Sequence, residues 1–353
     1  MTIVAARAHA VDVPLARPYE IHGCRFDRAP MVFLQLTDDA GHRGFGQAAP
    51  AAEVTGETDA EALQGLTALA AWLPGHDVDD AERQPIVQQL LRGPAARAAF
   101  DMARLDLDAR RHRLPLADRL GRVHQALPTS ITIGMLPLGP TLAEADEYLA
   151  RGFTTLKVKI GSDLDHELPR LDALRRHVGD HVGLRLDANQ AGDARSLPRL
   201  FDHAHRLAVE MIEQPLPRGQ EAALRDLPAA AKSILCADES VHDANDLAHL
   251  LAAGNPFGII NVKLMKCGGP RPARQLAELA ADHGLALMWG CNDESCLGIA
   301  AALHTAYACK ATRYLDLDGS FDLAADPFAF GFALERGTLH TLPRPGLGAE
   351  PTP

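Results

Sequence analysis

Seven polar or charged residues punctuate the second half of the chain, each where a short apolar run stops. Lys159 closes TLKVK, Asp187 closes GLRLD, Glu213 closes VEMIE, Asp238 ends ILCAD, Lys263 ends GIINVK, Cys291 follows LALMWG and Asp316 ends RYLD. The steps are 28, 26, 25, 25, 28 and 25 residues. A strand, a loop, a helix and a return loop consume about that length. Asp187, Glu213 and Asp238 therefore belong at the ends of three adjacent strands. Three converging carboxylates repel one another, and without a cation at least one pKa rises. Oxygen-only donors suit Mg²⁺ or Mn²⁺ rather than Zn²⁺. One such residue alone would read as a helix cap or a surface ion pair; three in succession read as a metal site. Asn189 and Glu239, just beyond two of the ligands, are placed to bond metal-bound water or to orient Lys263.

Lys157, Lys159 and Lys263 form a second group. Lys157 and Lys159 point the same way along an extended strand, at period two. Neighbouring ammonium groups and a nearby metal would each disfavour protonation, moving a lysine toward a base usable near neutral pH. Lys263 lies across the ring, so a carboxylate held by the metal exposes its α-carbon to one amine on each face. One lysine removes the proton, the cation stabilises the resulting enediolate, and the other lysine returns a proton to the opposite face. That is racemisation or epimerisation. A solvated strand-end lysine, at Lys263 or Lys266, is the plainer reading of either alone. Asp316 and Asp318, two apart in YLDLDG, are placed to receive a substrate ammonium or to form a turn at Asp318-Gly319.

Eight strands separated by helices, counted from Ser130, must carry these groups: SITIGM, TTLKVKIG, VGLRLDAN, VEMIEQP, SILCADES, GIINVKL, LALMWGC and ATRYLDLDG. Polar endings on successive strands suit the mouth of a closed barrel better than an open doubly wound sheet. The expected class is α/β: a modified TIM barrel of (β/α)7β type over residues 126–325, with an N-terminal α+β capping domain over 1–125. In the cap, strands are expected at Ile3–Val13, Pro30–Thr37 and Gly44–Ala48, followed by Ala- and Leu-rich helices over 57–120. The tail, 326–353, holds a Gly-bounded hairpin pattern and is expected to return toward the cap.

The 353 residues, 47% of them hydrophobic, suffice for a barrel plus a smaller domain. The formal charge of -11 gives no basic nucleic-acid surface. No run of 18 clean apolar residues is present, so no membrane span is expected. The six cysteines show no CxxC or zinc-type spacing and read as reduced thiols of a cytoplasmic enzyme. Cys236 is expected in the core.

The motifs together resemble the enolase superfamily, its muconate-lactonising subgroup, and within that the dipeptide epimerases of the L-Ala-D/L-Glu type. They are VTGE at 54–57, AAFDMARLDL at 98–107, TLKVKIG at 155–161, LDAN at 186–189, EQP at 213–215, ADES at 237–240, NVKLMKCGG at 261–269, WGCNDES at 289–295 and YLDLDG at 314–319. The resemblance implies Asp187, Glu213 and Asp238 as Mg²⁺ ligands, and Lys159 and Lys263 as acid/base catalysts. It implies Lys157 as partner of the substrate carboxylate, and Asp316 and Asp318 as the hold on a dipeptide ammonium. It also implies cap loops near 17–27 and 50–57 that close on the barrel, self-association into homo-oligomers, and inversion at the C-terminal residue of a dipeptide, as in cell-wall peptide recycling. Gln47 stands in GFGQAAP where many members carry Glu, a change expected to touch the cap more than the chemistry. Asp293, with Glu53, favours a cationic or neutral dipeptide side chain, because two buried carboxylates repel. The rival readings are o-succinylbenzoate synthase, muconate cycloisomerase, N-acylamino acid racemase and a non-enzymatic barrel that binds a metal-carboxylate ligand.

Overall fold

In the computed structural model, which describes residues 1–21 and 24–352, the chain opens with a long antiparallel hairpin. Strand β1 (Ile3–Ile21) pairs with β2 (Cys24–Asp38), which pairs with β3 (Arg43–Ala48). The first two strands run well past the expected Val13 and back before Pro30. The register slips between Pro14 and Tyr19, and an irregular strand tolerates the missing N–H of Pro14 and Pro18. The segment expected as a cap loop at 17–27 is thus the far end of this hairpin; residues 22 and 23 lie outside the described residues.

Behind β3 lies the helix Pro94–Arg111, whose buried face includes Ala95, Ala96, Ala98, Ala99 and Ala103. Small residues let it press directly on the strand. A Cβ at Gly46 would stand 1.9 Å from the Ala99 carbonyl oxygen, and one at Gly44 would stand 2.2 Å from that of Ala103. The start of this helix is held by the Glu57 carboxylate, which accepts from the N–H groups of Ala95 (2.6 Å) and Ala96 (3.1 Å).

The barrel is one sheet of eight parallel strands in sequential order: Ile131–Ile133, Thr155–Lys159, Gly183–Asp187, Val209–Glu213, Leu235–Ala237, Ile259–Val262, Ala286–Trp289 and Thr312–Leu315. A bridge between Thr129 and Leu315, with Ser130 N–H donating to the Leu315 carbonyl at 3.1 Å, joins the last strand to the first. The period of two sorts each strand. Met211, Cys236, Ile259 and Met288 form a small apolar cluster of their own, all at most 1% exposed. Two residues on from Met211 and Cys236 come Glu213 and Asp238, and four on from Ile259 comes Lys263, so the inward rows rise from an apolar floor to a polar mouth. Cys236 is in the core, as expected. Helices such as Leu164–Val178 and Pro270–Asp282 return the chain between strands. The return after Glu213 runs through a 3₁₀ turn, Glu221–Leu224, and a short helix, Ala229–Ser233. Pro228, lacking an N–H, separates them.

After the barrel, Phe332–Glu335 and Thr338–Thr341 form the tail hairpin. Its turn places Arg336 at φ 50° and Gly337 at φ 73°, the left-handed pair that a two-residue hairpin turn demands. The end of the chain lies on the N-terminal layer: Arg110 bonds Glu350 at 2.6 Å, and Leu347 N–H donates to Asp106 at 2.7 Å. Among the described residues no helix is long and apolar enough to cross a membrane.

Candidate active site

A cavity of about 640 Å³ sits where the hairpin overhangs the barrel mouth. Its wall takes Lys157, Lys159, Asp187, Asn189, Asp238, Glu239, Lys263, Asp293, Asp316 and Asp318 from the barrel, and Tyr19, Phe26 and Glu53 from the cap. All but one of the acids, lysines and amides proposed from sequence for the metal, the proton transfers and the substrate therefore share one space. The exception, Glu213, is 1% exposed and reaches the group through Lys157.

Lys157 is the electrostatic centre. Its ammonium donates to Asp316, lies 3.2 Å from Glu213 Oε2 and 3.3 Å from Asp187 Oδ2. Burial opposes its charge, but Asp316, Glu213 and Asp187 outweigh burial and hold its pKa well above the ordinary lysine value. Lys159 Nζ donates to Asp187 Oδ2 at 3.1 Å and to Asn189 Oδ1 at 2.6 Å. Lys263 Nζ donates to Asp238 Oδ2 at 2.9 Å. Burial lowers the Lys263 pKa, yet Asp238 and Glu213 raise it above the usual range. The downward shift expected for the lysines is thus not what surrounds Lys157 and Lys263. Carboxylates stand within hydrogen-bonding distance of each ammonium.

The carboxylates divide. Burial pushes Asp187 up, but Lys159 and Lys157 bring it down to about 2. Asp238 is likewise held far below its ordinary value by Lys263 and Lys266 against burial. Glu213 goes the other way, up to about 8, through burial and then the Asp187 charge. Among the described residues no three carboxylate, imidazole or thiol groups form a ready metal cage; lysine ammonium groups stand between the acids. The donor chemistry nonetheless fits a hard divalent cation. The three groups are buried and oxygen-only, and Glu213 cannot easily ionise beside Asp187 without added positive charge. Glu239 Oε2 is moreover a buried oxygen with no hydrogen-bond donor among the described residues.

Asn189 and Glu239 line the cavity together with Lys263. Asn189 accepts from Lys159 and its Nδ2 reaches Glu239 Oε1 at 3.5 Å, and the Lys263 charge opposes the rise that burial imposes on the Glu239 pKa. Asn189 follows the strand next to that of Lys159. Asp316 is spoken for by Lys157 and by Ser130 Oγ at 2.6 Å. Asp318 accepts from the Thr132 N–H at 2.7 Å, and burial beside Asp316 raises its pKa. Asp293 and Glu53 both face the cavity. Burial lifts Asp293 to about 6, against the hydrogen bond from Tyr19. Gln47 lies outside the cavity: its Oε1 accepts from Ser295 Oγ and from the Gly298 N–H at 3.2 Å, tying β3 to the helix Cys296–Ala306.

Sequence reasoning passed over several contributors. Lys266, dismissed as a solvated lysine, is 4% exposed. Its ammonium donates to Asp238 Oδ1 (2.6 Å) and to the carbonyls of Asp238 (2.7 Å), Val241 (3.0 Å) and Asn261 (3.0 Å). Asn261 Nδ2 donates to Glu213 Oε1 at 2.6 Å. Its inward placement was readable, since Asn261 precedes Lys263 by two on one strand. Nothing local marked Lys266, which turns inward on a four-residue helix, Leu264–Cys267, or Tyr19, whose hydroxyl donates to Asp293 at 2.8 Å across 274 positions of chain.

Comparison with known proteins agrees with this architecture. Residues 3–121 match the mandelate racemase / muconate lactonizing enzyme N-terminal domain, and residues 141–353 match the enolase C-terminal domain-like family. An L-Lys-D/L-Arg epimerase of Methylococcus capsulatus is 45% identical, with 99% of each chain aligned. An L-Ala-D/L-Glu epimerase of Bacillus subtilis is 31% identical over 99% of this chain and 96% of its own. The crystal structure of a dipeptide epimerase from Methylococcus capsulatus, complexed with Mg and the dipeptide L-Arg-D-Lys, superposes with a TM-score of 0.95 at 45% identity, covering 99% of both chains. With one family model spanning more than half its length, and full-length relatives above three-tenths identity, this chain belongs to the mandelate racemase/muconate lactonizing enzyme family of the enolase superfamily.

Proposed function

We propose that this protein is a Mg²⁺-dependent dipeptide epimerase that inverts the C-terminal residue by moving one proton off, and one proton onto, its α-carbon. The observation that carries the reading is the pair Lys159, at the end of the second barrel strand, and Lys263, just past the end of the sixth, both lining one cavity. In this reading Asp187, Glu213 and Asp238 hold the cation. Bound Mg²⁺ supplies positive charge for the substrate carboxylate and the enediolate that proton removal leaves on the substrate. Lys157 faces that carboxylate and keeps Asp187, Glu213 and Asp316 in place. Lys159, steered by Asn189, and Lys263, steered by Asp238, act as base and acid on opposite faces. Asp318, backed by Asp316, receives the free ammonium. Residues 1–125 act as the lid.

The substrate class follows from the remaining charge. Asp293, Glu53 and Asp318 line the space beyond the lysines, so a cationic side chain relieves repulsion that an acidic one would worsen. Relatives named for Lys and Arg dipeptides support the same choice. Proton NMR in D₂O with Mg²⁺ tests it. Deuterium is expected at the C-terminal α-carbon of L-Lys-L-Arg, faster than in L-Ala-L-Glu. Lys159→Ala should slow epimerisation about 10²–10⁴-fold. Exchange only in N-succinylated amino acids, or an unchanged rate in Lys159→Ala, would reject the reading.

A further inference from the structure

Tyr19 lies on the cap hairpin, opposite Phe26 in the β1–β2 ladder, with the two rings stacked at 5.2 Å and 19°. The stack leaves its hydroxyl at the edge of the hairpin, over the barrel. There it donates to Asp293 Oδ2 at 2.8 Å, the one hydrogen bond that reaches this carboxylate among the described residues. Two residues earlier Arg17 bonds Glu147 of the helix Leu138–Ala150 at 2.6 Å. The hairpin is also held farther back, by the Leu15–Leu323 bridge and by the Ala324 N–H donating to the Pro14 carbonyl at 2.9 Å, while Arg17 and Tyr19 both line the cavity.

We propose that Tyr19 is a positioning residue for specificity: by fixing one oxygen of Asp293, it aims the other into the cavity for the cationic side chain of the substrate's C-terminal residue, and so couples seating of the cap to substrate charge. This rests on the dipeptide-epimerase reading above. One hydrogen bond satisfies half of a buried carboxylate and leaves the rest of its capacity for a partner that only a cation or strong donor can supply. A substrate with an apolar side chain would leave that capacity unfilled, a penalty the enzyme would register as weaker binding. The hydroxyl also opposes the pKa rise that burial imposes on Asp293, keeping more of it ionised.

Steady-state kinetics on L-Lys-L-Arg and L-Lys-L-Leu test this. Tyr19→Phe keeps the ring stack and removes the hydroxyl. Its preference for the arginyl over the leucyl dipeptide, in kcat/KM, should fall about tenfold, mainly through a higher KM for L-Lys-L-Arg. Phe26→Leu, which disturbs the hairpin but keeps the hydroxyl, should reduce both substrates alike. In a double-mutant cycle, Asp293→Asn should lose the same preference, and adding Tyr19→Phe should cost little more. Equal losses on both dipeptides in Tyr19→Phe, or additive losses in the cycle, would overturn the inference and leave the epimerase assignment intact. Wild-type protein that exchanges no dipeptide would sink the assignment, and the inference with it.

Discussion

Lys266 shows how much of this site is built to hold charge rather than to react. Its ammonium is enclosed by one carboxylate oxygen and three carbonyls, all within 3.0 Å, and Lys266 is not itself part of the cavity wall. It pins Asp238 from behind while Lys263 approaches from the cavity side. Replacing it by Met keeps the stem but strands a buried carboxylate and three acceptors. Loss of one partner of a buried ion pair typically costs about 3–5 kcal/mol. Lys266→Met should therefore lower the free energy of urea unfolding by about that amount and weaken cation binding, because Asp238 loses its anchor; an unfolding curve matching the parent would refute the role. Lys159 differs in kind: its two acceptors, Asp187 and Asn189, face the cavity, so its proton is within reach of a bound molecule.

Among the elements, β3 is the one whose sequence is most constrained by its neighbour. GFGQA alternates two glycines with Phe45 and Gln47. The glycines face the helix Pro94–Arg111, so strand and helix meet backbone to backbone. Gln47 then reaches the barrel loop through Ser295 and Gly298, and Asn292 Nδ2 donates back to the Ala49 carbonyl at 3.0 Å. Gly46→Ala would place a methyl group inside contact distance of the Ala99 carbonyl, and neither backbone can yield alone. Overpacking of this kind costs about 1–3 kcal/mol. The expected result is a lower urea midpoint with an unchanged slope; a midpoint equal to the parent's would show that the helix shifts freely.

For the molecule as a whole, the seam between cap and barrel is polar and distributed. Arg271, on the barrel helix Pro270–Asp282, donates to both oxygens of Glu82 and through Nε to Asp101 Oδ1 at 2.5 Å. Asp101 and Glu82 in turn meet Arg104. Burial raises the Asp101 pKa, with Arg271 the largest opposing influence. Because the Arg271 side chain is one-third exposed (33%), water screens part of the interaction. Arg271→Ala is expected to cost about 1–3 kcal/mol by urea unfolding, and to raise KM by loosening the cap over the cavity. Unaltered stability and KM together would mean the seam is held elsewhere.

The strand period, the barrel class and the convergence of the lysines and acids were legible in the chain itself. Spacing near one strand-helix repeat forces strand ends to one rim, and alternation forces residues such as Lys157 and Lys159 inward, so both follow from local geometry. What the linear pattern left open was which charged groups would touch. Asn189 went to Lys159, Lys266 went inward, and Tyr19 met Asp293 across most of the chain. Those choices depend on how a long hairpin, tolerant of Pro14 and Pro18, folds over a barrel mouth whose buried carboxylates each require a donor. Buried charge is settled by distances of a few ångströms between segments remote in sequence, and only the closed tertiary fold supplies those distances.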